Sequence, residues 1–346
     1  MGTVLLTGGS GYVGSHIALN LLKKNFSVVI YDSFVNSSRE VFNKFNKVLD
    51  EEFLKKNLKI YEGDLREKDN LSNLFEDFYL NGKKINSVIH CAGLKSVKDS
   101  HLNPLDYWDV NITGTLNLIK IMNKFSCKKI IFSSSATVYD CNQSGLLNEK
   151  SKLQPINPYG NTKYIIEKLL QDIYLSSKDS WRIVNLRYFN PIGADPDGLI
   201  GESPSSEKNN IYPLILDVAS KKLDKFTIFG NDWDTKDGTC VRDYIHIDDL
   251  AESHIRALKY ISENRPNFLN LNIGTGKGTS VLELINTFEN INGVKVPYVF
   301  GQRREGDFGC VVADNSLAKT LLNWEPQKNL EDMCRDGWDW FKNLGI

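Results

Sequence analysis

No apolar stretch of this chain is long enough to cross a bilayer, and the first, Val4–Leu6, ends within a few residues in glycines, so neither a membrane span nor a signal peptide is expected. Gly2 after Met1 opens a myristoylation pattern, but Leu6 stands where Ser or Thr is required. An excess of one charge is missing as well: 42 basic against 43 acidic residues leave a net charge of -1. That excludes a broad nucleic-acid surface and a solvating acidic tail, so any anion site must be local. The six cysteines (Cys91, Cys127, Cys141, Cys240, Cys310, Cys334) form no C-x-x-C pair. A chain of 346 residues needs no disulfide staples, so reduced thiols in a cytosol are expected. His16, His90, His101, His246 and His254 have no metal-ligand spacing, and no metal is expected. Internal repeats and low-complexity tracts are absent. What is present is ordinary globular composition, 41% hydrophobic, with enough apolar material for one large or two modest cores.

Short β-branched runs alternate with helix-period stretches from the start: Val4–Leu6, Val28–Tyr31, Leu58–Tyr61, Ser87–His90, Ile130–Ser133 and Ile183–Leu186 read as strands. Alternation of this kind predicts βαβ units and a parallel sheet with helices on both faces. After Asn190 the texture changes, with Pro191, Gly193, Pro196, Gly198, Gly201 and Pro204 punctuating an irregular stretch. The reading is a domain over 1–190 and a smaller α/β domain over 191–346, with later elements such as Asn270–Ile273 returning to the first sheet.

Directly after the first strand comes Thr7-Gly8-Gly9-Ser10-Gly11-Tyr12-Val13-Gly14, and a helix-period run Ser15–Lys24 follows. Missing side chains at such a turn let the backbone approach a pyrophosphate, whose charge sits on free N–H groups at the helix start. A glycine pattern alone also fits a tight strand-to-helix turn with no ligand. Here Asp32 closes the next strand about 20 residues on, where a carboxylate takes ribose hydroxyls. That context makes the segment a Rossmann-type dinucleotide site. Asp32 would repel a 2′-phosphate, and the nearest arginine is Arg39, so NAD is expected over NADP.

Tyr159 and Lys163 stand at i and i+4 after Pro158, with Ile165, Ile166, Leu169, Leu170 and Ile173 for a buried face. On a helix the ammonium lies on the tyrosine's face and is expected to lower its pKa from about 10, making a base. The spacing is common: Tyr79/Lys83, Tyr164/Lys168 and Tyr174/Lys178 share it. Tyr159 is singled out by Ser133-Ser134-Ser135 at the carboxyl end of the strand Ile130–Phe132, because open α/β sheets bind ligands beyond strand carboxyl ends.

These blocks, together with Asp64-Leu65-Arg66, Ala92-Gly93-Leu94-Lys95, Ser133–Tyr139, Leu186-Arg187-Tyr188-Phe189-Asn190-Pro191, Ile228–Asp232, Val241–His246 and Arg303–Asp307, resemble the UDP-galactose 4-epimerases of the extended short-chain dehydrogenase/reductase family over nearly the whole chain. The resemblance implies a UDP-hexose substrate and resident NAD. In that reading Tyr159 takes the proton of the sugar 4-hydroxyl, a 4-keto sugar forms, rotates and is reduced on its other face, Ser135 orients the 4-oxygen, and Lys163 tunes Tyr159. It further implies that NAD is held by Gly8, Gly11, Tyr12, Val13, Gly14, Asp32, Asn36, Ser37, Asp64, Leu65, Cys91, Ala92, Gly93, Lys95, Ser133, Tyr159, Lys163 and Tyr188. The UDP-sugar is assigned by the same resemblance to Lys95, Ser135, Thr137, Tyr159, Asn190, Asn210, Ile211, Thr227, Phe229, Arg242, Tyr244, Arg304, Asp307 and Val311. Arg242 and Arg304 would take the diphosphate, for which guanidinium geometry is suited. A homodimer through helices near Leu105–Phe125 and Tyr159–Tyr174 is implied too, although their apolar stripes equally suit an ordinary core.

Cys91 departs from bacterial relatives, which carry phenylalanine there; it reads as a small packing residue, not a nucleophile. A 4,6-dehydratase would carry Asp-Glu after a Thr where this chain has Ser135-Ala136, so no acid is present for elimination. A uronate 4-epimerase or decarboxylase and, further off, a non-catalytic dinucleotide-binding protein remain as alternatives, the last having no use for Tyr159, Lys163 and Ser135 together. At Val311 the family carries a residue lining the sugar pocket, where a bulky tyrosine excludes N-acetylated sugars. Val311 is small, so UDP-GlcNAc and UDP-GalNAc are expected to enter. Val311→Tyr should lower the ratio of acetylated to plain turnover, and an unchanged ratio would refute the assignment.

Overall fold

In the computed structural model, which describes residues 2–140, 145–203, 210–304 and 306–345, seven short runs become the strands of one sheet. Met1, Cys141, Pro204 and Glu305, read above from the sequence, lie outside the described residues. The strands are β1 (Thr3–Thr7), β2 (Ser27–Asp32), β3 (Leu58–Glu62), β4 (Ile85–His90), β5 (Lys129–Ser135), β6 (Arg182–Tyr188) and β7 (Asn267–Ile273). Their order across the sheet is β7-β6-β5-β4-β1-β2-β3, and β3–β2, β2–β1, β1–β4 and β4–β5 pair in parallel. This is the doubly wound Rossmann-type order, which reverses between β1 and β4. All seven runs read from the sequence are strands, and Asn270–Ile273 does join the first sheet.

The chain divides into two compact units. One comprises Met1–Val138, Pro155–Arg187 and Ala251–Leu271; the other comprises Tyr139–Gln154, Tyr188–Leu250 and Asn272–Ile346. Tyr139–Gln154, ahead of residue 190, thus belongs to the second unit, and Ala251–Leu271, well after it, to the first. Within the first unit Leu5, Val29, Val88 and Ile130 of the sheet pack with Leu71 and Leu118 of the helices Lys68–Leu80 and Gly114–Lys124 and with Ile166 and Leu170 of Pro158–Ser176. β1 is nearly inaccessible to solvent, which is why it reads as a continuous apolar run and not as an alternation.

The second unit is smaller in its elements: Phe226–Phe229 pairs in parallel with Tyr298–Gly301, and Thr279–Ser280, Val241–Arg242, Cys310–Ala313 and Gly145–Leu147 make a four-stranded sheet in that order. Its core is aromatic. Tyr212, Phe288, Trp338 and Phe341 pack together, with Trp338 and Phe341 stacked at 5.7 Å between ring centroids. Among the described residues no helix is long and apolar enough to cross a membrane.

Gly337 lies inside the helix Leu330–Lys342, where a Cβ would fall 2.3 Å from the Tyr212 hydroxyl. That hydroxyl is buried and donates to the Met333 and Cys334 carbonyls at 3.0 Å, so moving it away would break both bonds. Glycine-to-alanine changes in helices usually gain about 1 kcal/mol. Here Gly337→Ala is expected to cost about 1–3 kcal/mol through overpacking, read as a lower thermal midpoint; a gain would show that the helices Ile211–Ala219 and Leu330–Lys342 can separate freely.

Candidate active site

The glycine turn after β1 divides by what each glycine is for. Gly8 has φ +69°, and a Cβ there would sit 2.5 Å from the Ala92 nitrogen; at Gly14 one would sit 2.2 Å from the Gly8 oxygen. Both are demanded by the chain's own packing. Gly11 is not, since its Cβ would meet only the Gly8 oxygen at 3.6 Å. It is the N-cap of helix α1 (Tyr12–Lys23), and no side chain caps that end. An uncapped helix start facing open space under a bare glycine fits a pyrophosphate. Asp32 closes β2 beside it: one carboxylate oxygen accepts the Ser10 N–H at 2.9 Å, the other the Phe34 N–H at 2.9 Å and the Ser37 hydroxyl at 3.3 Å. A carboxylate offers about four lone-pair positions, so capacity for a ribose hydroxyl remains. Ser37 is thereby tied to this corner, while Asn36 is exposed.

Along the sheet edge, the Asp64 carboxylate is held by the Arg66 guanidinium, which keeps it below the usual carboxylate range. Leu65 is buried in the core. After β4, the Cys91 thiol lies 3.0 Å from the Ser133 hydroxyl, and burial pushes it up to about 11, so it stays protonated near neutrality. Lys95 is exposed, its ammonium 6.0 Å from the Tyr12 ring centroid.

Tyr159 comes from the helix Pro158–Ser176, whose start is specified locally. Asn157 caps it, accepting the Gly160 N–H at 2.7 Å, and Pro158 fills the first position, where its missing N–H costs nothing. Gly160 allows close approach, because a Cβ there would meet the Thr137 carbonyl at 2.7 Å. Tyr159 is then buried and hydrogen-bonded to Ser135, whose hydroxyl also accepts from the Thr137 N–H and hydroxyl at 3.2 and 3.0 Å. Lys163, one turn on, donates to the Ser133 carbonyl at 2.8 Å.

In the second unit, Arg242 donates to the Asp307 carboxylate and the Phe308 carbonyl, both at 2.8 Å. Val311 is its partner across the strand pair Val241–Arg242 and Cys310–Ala313. The Arg304 guanidinium lies over the Phe229 ring at 3.8 Å, a cation–π arrangement. Asn210 precedes the helix that begins at Ile211, but its side chain does not cap it and donates instead to Glu202 at 2.8 Å. Thr227 shares the Phe226–Phe229 strand with Phe229; Tyr188 ends β6, and Asn190 opens the short strand Asn190–Ile192 just after Phe189. Tyr244 is buried in the aromatic core, and burial raises its phenol.

Residues 5–337 match the family described as GDP-mannose 4,6 dehydratase. The chain is 44% identical over 337 residues to a UDP-glucose 4-epimerase of Bacillus subtilis, covering 97% of this chain and 96% of that one. UDP-glucose 4-epimerase 4 of Oryza sativa subsp. japonica is also 44% identical, with 98% and 89% covered. The chain belongs to the UDP-glucose 4-epimerase family. Among solved structures, the epimerase of Stenotrophomonas maltophila with bound NAD and formylated UDP-arabinopyranose superposes with a TM-score of 0.93 at 39% identity, covering 100% and 99% of the two chains. The Bifidobacterium longum enzyme with NAD+ and UDP gives 0.91 at 38%, covering 99% of each. A UDP-Glc/GlcNAc 4-epimerase of Campylobacter jejuni gives 0.83 at 33%, covering 99% and 100%.

One expectation for this epimerase fold needs correction. The Tyr159 phenol is not lowered by Lys163; burial pushes it up to about 12, opposed by the Ser135 hydrogen bond. The i+4 spacing does put the ammonium on the tyrosine's face, but at 5.8 Å from the ring centroid and bonded instead to a carbonyl. Lys163 itself is brought down to about 8 by the same burial. Sequence reasoning also gave no role to Asn111, in a π-helical turn Trp108–Thr113, whose amide accepts the Leu94 N–H at 2.8 Å and donates to Thr162 at 2.9 Å. Thr162 in turn donates to the Tyr159 carbonyl at 2.7 Å. No local pattern marks such a residue.

In nucleotide-free protein, Tyr159 is therefore expected to remain a phenol well past the ordinary tyrosine value of about 10. The ultraviolet difference spectrum of wild type against Tyr159→Phe should show no phenolate step up to about pH 10.5. A step near 7 would mean that Lys163 outweighs burial.

Proposed function

We propose that the chain interconverts UDP-galactose and UDP-glucose by oxidising the sugar at carbon 4 and reducing the resulting ketone from the opposite face. The observation that carries this reading is the buried Tyr159–Ser135 pair at the carboxyl end of β5 with Lys163 one turn behind it, in a chain related to epimerases over its full length. NAD, when bound, supplies the hydride acceptor and donor together with a positively charged ring that favours a phenolate. Gly11 at the head of α1 and the Asp32 carboxylate would hold it.

Tyr159 removes the proton of the 4-hydroxyl and later returns it. Ser135 holds the 4-oxygen by hydrogen bonding, assisted by Thr137 on its far side. Since Ser135 and Ala136 provide no acid, the ketone is not diverted to elimination, which separates this chain from a 4,6-dehydratase despite the family description. Arg242 and Arg304 take the diphosphate, Phe229 lies by the uracil, and Asp307, which already orients Arg242, takes a ribose hydroxyl. Val311 leaves room for an N-acetyl group, a reading supported by the likeness to a UDP-Glc/GlcNAc enzyme. The protein works as a homodimer in the cytoplasm: Leu102, Leu105 and Trp108 stand exposed in the first unit, and Cys91, Cys127, Cys240, Cys310 and Cys334 are all free thiols.

Purified protein given UDP-galactose and no added NAD should produce the anomeric proton signal of UDP-glucose, and Tyr159→Phe should slow this by about a hundredfold or more. No conversion, even with NAD supplied, would defeat the reading.

A further inference from the structure

The helix stripe that carries Tyr159 and Lys163 continues one turn further to Glu167, which is buried with Arg187 of β6: their side chains are 4% and 1% exposed. The Arg187 guanidinium grips both carboxylate oxygens, with Nε at 3.0 and 3.2 Å and a terminal nitrogen at 2.6 Å. A fork of this kind fixes the carboxylate in plane and position. The same carboxylate accepts the Ser134 hydroxyl at 2.5 Å. Three successive residues of the strand end are thus each fastened to one turn of one helix face: Ser135 to Tyr159, the Ser133 carbonyl to Lys163, and Ser134 to Glu167. Along a strand, successive side chains alternate in direction; the Ser134 hydroxyl meets Glu167, while that of Ser133 meets His254 at 2.8 Å.

We propose that Glu167, locked by Arg187, is a positioning residue: through Ser134 it sets the height of Ser135 and of the Ser133 carbonyl against Tyr159 and Lys163. The charge also acts at a distance, favouring the ammonium form of Lys163 against the burial that disfavours it. Neither residue touches the sugar. A catalytic hydroxyl displaced by about 1 Å can lose up to about a hundredfold in rate, and the pairing of β5 with β4 ends at Phe132, three residues before Ser135. The inference rests on the epimerase reading for its rate consequence, but not for its structural one.

Ser134→Ala separates this role from simple stability, since it removes the link and leaves the Glu167–Arg187 pair intact. Wild type and variant are compared as purified holoenzyme with UDP-galactose. The expected result is a kcat lower by about tenfold or more with KM unchanged, a thermal midpoint moved by no more than about 4 °C, and recovery of most of the rate in Ser134→Thr, which keeps the hydroxyl. Amide hydrogen exchange over 133–136 should quicken in Ser134→Ala while the helix Pro158–Ser176 stays protected, a readout independent of turnover. The proposal is overturned if kcat stays within twofold of wild type, if exchange at the strand end is unchanged, or if rate, KM and thermal midpoint all collapse together. Should wild type itself fail to turn over UDP-galactose, the epimerase reading falls and the exchange comparison still decides the positioning role.

Discussion

An ammonium taken out of water must be given acceptors, and Lys163 finds its acceptor in the carbonyl of Ser133 at 2.8 Å. That bond is one of three that join the helix Pro158–Ser176 to the end of β5, beside Tyr159–Ser135 and Glu167–Ser134, and several local features serve it. Asn157 and Pro158 start the helix at the right residue, Gly160 removes the Cβ that would strike Thr137, and Ser135 then stands against Tyr159. The lysine side chain passes over Phe132, whose ring centroid lies 4.7 Å from the ammonium, so the residue before the serines is aromatic for a reason beyond strand propensity. His254 closes the other side by bonding the Ser133 hydroxyl at 2.8 Å.

The second unit obeys the same rule with the sign reversed. Asp243, between Arg242 and Tyr244, is fully buried, and burial raises its carboxyl against the hydrogen bonds that favour the carboxylate. One oxygen accepts the Thr275 N–H and hydroxyl at 2.8 and 2.6 Å, and the other the Gly276 and Ala313 N–H groups at 3.0 and 3.1 Å. Four donors from two segments distant in sequence converge on one side chain. This ties the Val241–Arg242 strand to Cys310–Ala313 and so holds Arg242 opposite Val311. A residue without any proposed contact to a ligand thereby determines where Arg242 and Val311, two residues proposed above to meet one, stand.

Legibility in the sequence followed the range of the interaction. The inner sheet strands were readable because burial on both faces leaves continuous β-branched runs, the partly exposed edge strands Leu58–Glu62 and Asn267–Ile273 from their short apolar cores, and the glycine turn because its spacing, the preceding strand and Asp32 all lie within one βαβ unit. The helix of Tyr159 was readable from Pro158 and its apolar positions, although Ile165, read as part of the buried face, is exposed. Pairings between segments far apart were not: Glu167 with Arg187, Arg242 with Asp307 and Asp243 with Ala313 leave no periodicity. Short strands such as Gly145–Leu147 and Val241–Arg242 are too brief to carry one. The tyrosine's expected acidity failed for a related reason. Helical spacing gives a shared face but not a distance, and nothing local announces that the pair is fully desolvated.

That failure bears on how the site works. Burial moves both members of the pair toward their neutral forms, Tyr159 up to about 12 and Lys163 down to about 8. In the protein without ligands the phenol is the favoured form of Tyr159, because burial outweighs the Ser135 hydrogen bond. On the reading proposed above, a bound cofactor carrying positive charge would favour the phenolate, so that proton removal by Tyr159 would be tied by electrostatics to the presence of the ligands.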